Sequence, residues 1–242
     1  WQLSIVDYLP RAHTWRHFQG TSSSCRYQLH IAEVDARLLP NREICRNIQQ
    51  LVAEDPAIIG NYGPFQGDAE LRRALSAYFR ERGIDAGEED VLITSGSQQA
   101  IDLVARTFAG PGDTVYMEGP TYSGAIDVFA ARGARIVTVP VDDEGMRLDI
   151  LSRLCDVNPP KLIYTIPTFH NPTGAVMSAS RRARLLELAR SYNALILEDD
   201  AFSDTWFRTE PPRAIKSLDR SGHVILAKGF SKILSPGCRV SA

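Results

Sequence analysis

From Asp90 onward the chain alternates between two rhythms of apolar and polar positions. Short aliphatic runs, Val91 to Thr94, Thr114 to Glu118, Arg135 to Val139, Lys161 to Ile166, Ala194 to Glu198 and His223 to Ala227, predict strands. Between them apolar residues recur at the spacing of a helix face. Ser97 to Ala109 places Ile101, Val104, Ala105 and Phe108 on one side, and Ser178 to Tyr192 does the same with Leu185, Leu186, Leu188 and Ala189; Ser123 to Arg132 and Leu148 to Cys155 complete the set. Strand, turn and helix repeated in this way predict a mostly parallel sheet with helices on both faces, a three-layer α/β sandwich. Upstream, Ile44, Ile48, Leu51 and Val52 predict a helix over Asn41 to Glu54. Asp68 is placed to cap a second one that runs through Leu71, Leu75 and Phe79 and stops at Gly83. The first forty residues carry little pattern beyond a flexible loop at Thr21 to Ser24 and a short strand at Tyr27 to Ile31.

Ligands of parallel sheets bind at the carboxyl ends of the strands, which singles out the turns after Thr94, Glu118, Ile166, Glu198 and Ala227. The first, Thr94-Ser95-Gly96-Ser97-Gln98-Gln99, leads into a helix, where free N–H groups and hydroxyls make either a helix cap or a phosphate seat. The second delivers the ring of Tyr122, able to stack on a flat heterocycle. The third, His170-Asn171-Pro172-Thr173-Gly174, holds an amide rigidly at a strand end. The fourth carries Glu198, Asp199 and Asp200, three consecutive acids that an apolar strand end tolerates only in water or with a partner. In an extended strand the middle acid points away from both neighbours. The last is Gly229-Phe230-Ser231-Lys232, followed by Arg239 at the start of another strand. A desolvated lysine there is suited to a Schiff base with a phosphate-bearing aldehyde.

Composition narrows the field without naming a chemistry. With 44% hydrophobic and 23% charged residues, the 242-residue chain has the make-up of a soluble globular protein. A net charge of −2 gives no electrostatic footprint for nucleic acid. Cys25, Cys45, Cys155 and Cys238 lie far apart, which argues against a metal knuckle or a disulfide scaffold and for a reduced, cytoplasmic setting. No apolar run is long enough to span a membrane, no signal peptide is visible, and Trp1 in place of Met suggests a start inside a longer product.

The turns taken together resemble those of fold-type I pyridoxal-phosphate enzymes, specifically class I/II aminotransferases. The resemblance rests on Asn171-Pro172-Thr173-Gly174 and on Ser231-Lys232 with Arg239, and extends from about Leu38 to the end of the chain. It is strongest to the branch of aromatic and 2-aminoadipate aminotransferases, which is shared with the aminotransferase-like domains of GntR-type (MocR) transcription regulators. The resemblance implies pyridoxal 5'-phosphate as cofactor and an N-terminal arm and helix over 1–56 before a cofactor-binding large domain over 57–242. It implies that Lys232 forms the aldimine and moves the substrate proton, and that Asp199 pairs with the pyridine nitrogen. Gly96, Ser97, Gln98, Ser231 and Arg239 would hold the phosphate, Tyr122 would stack on the ring and Asn171 would donate to O3′. Tyr62 matches a tyrosine that reaches across a subunit interface, which implies a homodimer acting on an amino acid and a 2-oxo acid.

Three departures from the family pattern modify these expectations. Phe202 stands where a tyrosine is usual, and Gly229 where a serine hydroxyl usually meets the phosphate. Each loss is worth about 1–2 kcal/mol of cofactor hold. The third is that the chain stops at Ala242, before the region that clamps the substrate carboxylate in the family. Cofactor binding by these residues is therefore expected to outlast catalysis. The alternative to an enzyme is a cofactor-sensing effector domain of a GntR-type regulator, with the DNA-binding part elsewhere.

Overall fold

The computed structural model describes residues 32–242, so the loop at Thr21 to Ser24 and the strand at Tyr27 to Ile31 lie outside the described residues. Six strands form the main sheet: β2 (Thr114–Gly119), β3 (Arg135–Asp142), β4 (Gly145–Met146), β5 (Leu162–Thr165), β6 (Leu195–Asp200) and β7 (Val224–Lys228). Their order is β4-β3-β2-β5-β6-β7, parallel throughout except for the short β3–β4 hairpin, which the sequence pattern did not announce.

Side-chain alternation along the strands divides the core between two faces. Val115, Met117, Leu162, Tyr164, Leu197 and Ala227 pack under α3 (Ser97–Phe108) and α4 (Ser123–Ala131). Their neighbours Tyr116, Ile163, Ile196 and Val224 pack on the opposite side, under α5 (Leu148–Val157) and α6 (Ala179–Ser191). This is the three-layer, mostly parallel α/β fold that the alternating pattern predicts. A third cluster joins Leu75 and Phe79 of α2 (Ala69–Glu81) to Ile84, Val91 and Phe230. Asp68 caps α2 as expected, accepting from Leu71 N at 2.9 Å.

The strand expected at Val91 to Thr94 is a correction. Only β1 (Thr94–Ser95) forms, and it pairs antiparallel with β8 (Val240–Ser241) outside the main sheet. The cause is a residue upstream: Gln66 takes the hydrogen bonds that a longer strand would need. Its side-chain amide donates to Glu89 O at 2.7 Å and Val91 O at 3.1 Å, and its carbonyl accepts from Ile93 N at 3.0 Å. β8 in turn is tied to the edge of β7, with Lys228 N donating to Ala242 O at 2.7 Å and Ala242 N to Lys228 O at 3.0 Å.

Helix α1 (Asn41–Glu54) has its predicted bounds, yet none of its residues is buried. Ile48 and Leu51 remain half exposed, and Leu38, Ile59, Tyr62 and Phe65 extend the same apolar, open region of the chain.

Candidate active site

A cavity of about 320 Å³ is lined by Ser97, Gln98, Tyr122, Asn171, Asp199, Ser231, Lys232 and Arg239, with Ala32 and Glu33 at one side. All of these but Ala32 and Glu33 are sequence-predicted site residues. Gly96 adjoins the cavity beneath Arg239, whereas Tyr62 lies on an exposed loop and is not among the lining residues.

One end is built as an anion seat. Gly96 precedes α3 with φ 81°, and a Cβ there would run into the guanidinium of Arg239, so only glycine lets the arginine come this close. Arg239 itself takes φ 51° and reaches Ser95 O at 3.3 Å. The N–H groups of Ser97 and Gln98 at the head of α3 have no acceptor among the described residues, and the side chains of Ser97 and Ser231 have no hydrogen-bond partner there either. Free N–H groups, a helix dipole and an arginine together favour a phosphate. The Gln98 side chain is already committed, donating to Gly124 O at 3.1 Å and accepting from Tyr122 OH at 2.8 Å. It therefore pins the Tyr122 ring and leaves only its backbone N–H for an anion. At Gly229, a Cβ would fall 2.5 Å from Ser97 Oγ, so that hydroxyl already stands where a serine side chain would begin.

The opposite end is acidic, and the three acids of β6 have separate fates. Glu198 turns to the α6 side and accepts from Ile215 N and Lys216 N, both at 2.9 Å, beside the buried Arg182. Its burial pushes it up to about 7. Asp200 turns the same way and meets Lys228 Nζ at 3.2 Å. Asp199 alone lines the cavity. Its Oδ2 accepts from Tyr164 OH at 2.6 Å, while its Oδ1 is buried without a partner among the described residues. Burial pushes Asp199 up to about 6, outweighing the opposing hydrogen bond from Tyr164. Since the folded value exceeds the unfolded one, this group destabilises the protein progressively as pH rises from about 4 to about 6, by about 3 kcal/mol in all. A positive charge beside Oδ1 would offset that penalty.

Lys232 and Asn171 line the same cavity. Burial lowers the Lys232 amine below its ordinary value, with Glu33 working the other way, and its Nζ donates to Ala32 O. The ring of Phe202 lies 5.8 Å from that Nζ. Asn171 sits in a turn closed by Gly174 N on His170 O at 2.6 Å, and its side chain has no partner among the described residues.

Sequence reasoning missed the groups behind these residues. Tyr164 faces the site from within β5, and buried Glu118 holds the neighbouring turn by accepting from Thr165 Oγ1 at 2.6 Å and Ile166 N at 3.0 Å. A two-residue periodicity carried through Tyr164 and Ile166 toward the turn would have flagged the first. An anion seat, an aromatic ring, a lysine of lowered pKa and an unfilled carboxylate oxygen suit a flat, phosphate-bearing heterocycle with a protonated nitrogen.

Comparison with known proteins agrees. A family model described as aminotransferase class I and II matches residues 33–242. Aromatic-amino-acid aminotransferase 1 of Thermococcus litoralis is 44% identical over 185 residues, 74% of this chain and 44% of that protein. The HTH-type transcriptional regulator YisV of Bacillus subtilis is 34% identical over 88% of this chain and 44% of its own length. The kynurenine aminotransferase of Pyrococcus horikoshii, solved in complex with PMP, superposes with a TM-score of 0.89 at 34% identity, covering 99% of this chain and 61% of that one. The chain spans about half the length of the curated relatives it matches. Pyridoxal 5'-phosphate is the cofactor of this group, and the chain belongs to the class I and II aminotransferase family.

Proposed function

We propose that residues 57–242 form the cofactor-binding part of a cytoplasmic, pyridoxal-phosphate-dependent aminotransferase that moves an amino group between an amino acid and a 2-oxo acid. The observation that carries this is the buried, unpartnered Oδ1 of Asp199 in one cavity with Lys232 and the head of α3. When bound, the cofactor supplies an electron sink for the charge left after the amino acid loses its Cα proton. Arg239, Ser97, Ser231 and the N–H groups of Ser97 and Gln98 would hold its phosphate. Asp199 Oδ1 would accept from the ring nitrogen and keep that nitrogen protonated, which a charged carboxylate in a dry site does strongly. Tyr122 would cover the ring, and the Asn171 amide would donate to its phenolic oxygen. Lys232, whose ammonium form burial disfavours, would hold the cofactor covalently and would take the proton from the substrate Cα.

Borohydride treatment of the protein mixed with pyridoxal phosphate is expected to leave a stable label on Lys232 alone, read by peptide mass mapping. A label on another lysine, or none in a folded sample, sinks the assignment.

A homodimer is part of the same reading. The exposed apolar side chains of Leu38, Ile48, Leu51, Ile59, Tyr62 and Phe65, close together in sequence, support it, since exposed apolar surface of this kind favours association. Sedimentation that finds only monomers at micromolar concentration would remove this part. The match to YisV over 88% of the chain favours a second reading, a cofactor-sensing effector domain. Cofactor labelling at Lys232 with no amine exchange by the full-length protein would support that reading.

A further inference from the structure

Tyr164 is fully buried at the sheet centre, packed beneath α3 and α4, and among the described residues its phenol is the one polar group touching Asp199 that the proposed chemistry leaves unused. A carboxylate has two oxygens and roughly four acceptor sites, and its outer group rotates readily about Cβ–Cγ. In β6 one oxygen is tied down and the other is open: Oδ2 receives the Tyr164 O–H at 2.6 Å, and Oδ1, buried in the cavity wall, receives nothing. The parallel register sets Tyr164 beside Leu197, two residues before Asp199 on the same strand face, so the phenol reaches forward to the carboxylate along the sheet.

We infer that Tyr164 is a positioning residue: its O–H locks the rotation of the Asp199 carboxyl so that Oδ1 is presented to the ring nitrogen, and it favours the charged form of that carboxyl. The inference rests on the reading of Asp199 given above. Charge reaches Asp199 from three further groups, Asp200 on its own strand, Glu118 from β2 and Lys228 from β7, and the first two act against ionisation. Burial and these carboxylates push the group up, while Tyr164 and Lys228 pull it down. Of the two, Tyr164 alone touches Asp199.

The variant is Tyr164→Phe, which keeps the ring and removes only the hydroxyl. In the cofactor-free protein, the Asp199 carboxyl is followed by isotope-edited infrared titration. Its pKa is expected to rise by about one unit, a tenfold gain in proton affinity. Pyridoxal phosphate is then titrated into the unsubstituted protein, Tyr164→Phe, Asp199→Asn and the double variant. Tyr164→Phe should weaken binding about tenfold alone and less than twofold in the Asp199→Asn background, because the two act through one contact. Should Tyr164→Phe fold poorly, site-specific replacement of Tyr164 by 3,5-difluorotyrosine, a stronger donor of the same shape, should move the Asp199 pKa downward instead. An unmoved Asp199 pKa, or equal effects of Tyr164→Phe in both backgrounds, overturns the inference and leaves Tyr164 a packing residue. Failure of the functional reading would look different: pyridoxal phosphate would not bind even the unsubstituted protein, and the cofactor-free titration would still decide the role of Tyr164.

Discussion

Asp199→Ala is expected to lower amine transfer by about a thousandfold or more, roughly 4 kcal/mol of barrier, while leaving the fold standing. The reason lies in opposing contributions of similar size. Removing the carboxylate would abolish the contact proposed to hold a proton at the cofactor nitrogen, yet it also relieves the burial that pushes Asp199 up to about 6. That relief, about 3 kcal/mol near neutral pH, offsets the roughly 1–3 kcal/mol cost of leaving the Tyr164 hydroxyl without an acceptor. Asp200→Ala should behave in the opposite manner, unfolding at lower denaturant while the folded fraction still binds cofactor, because Asp200 partners the buried Lys228 on the other side of β6. Single-turnover conversion by a panel of amino acids, measured beside urea unfolding, separates the two. Greater loss of transfer in Asp200→Ala than in Asp199→Ala would show that the wrong face of the strand has been assigned to the site.

Lys228→Met is expected to cost about 3–5 kcal/mol of stability, the range for a buried ion pair that loses one partner. Lys228 is 2% exposed, and its Nζ meets Asp204 Oδ2 at 2.6 Å, Ser203 Oγ at 2.7 Å and Asp200 Oδ2 at 3.2 Å. Tyr78 OH also donates to Asp204 Oδ2 at 2.6 Å, and Arg82 Nη2 to its Oδ1 at 2.9 Å. Burial alone would push Asp204 up, but the bonds from Lys228, Tyr78 and Arg82 outweigh it and hold the carboxyl below its ordinary value. A depressed folded pKa means that this stabilisation is present above the unfolded value near 3.8 and is lost as pH falls below it. The gap between the unsubstituted protein and Lys228→Met should therefore shrink as urea unfolding is moved from pH 7 toward pH 3. A gap that is constant over that range would mean that lost packing, and not charge, explains the variant.

Much of this organisation is legible in the sequence because two local rules act without interference. Periodicity marks the strands of the main sheet other than β4, and the exact span of α1, and turn chemistry at the carboxyl ends marks eight residues that line one cavity. What is not legible depends on distant partners. Val91 to Thr94 reads as a strand until Gln66, far upstream, takes its hydrogen bonds. Glu198, Asp199 and Asp200 read as an acidic turn, but the partners that divide them, Ile215, Tyr164 and Lys228, come from three other segments. Gln98 reads as a phosphate ligand, and only the placement of Tyr122 and Gly124 shows its side chain engaged. The apolar stripe of α1 reads as one face of a helix, and none of the described residues buries it.

The docking of β8 between β7 and β1 has a consequence for the order of folding. Arg239 reaches the carbonyl of Ser95 across a sequence separation of 144 residues, so the two halves of the anion seat are brought together by a long-range contact. Closing so large a loop is entropically slow, and the local β–α units between the two segments can form without it. A chain emerging from the ribosome would thus acquire most of its sheet before it owns a phosphate site. In refolding with pyridoxal phosphate present, the visible signal of bound cofactor should lag the far-ultraviolet signal of the backbone; simultaneous rise of the two would place β8 in the folding nucleus instead.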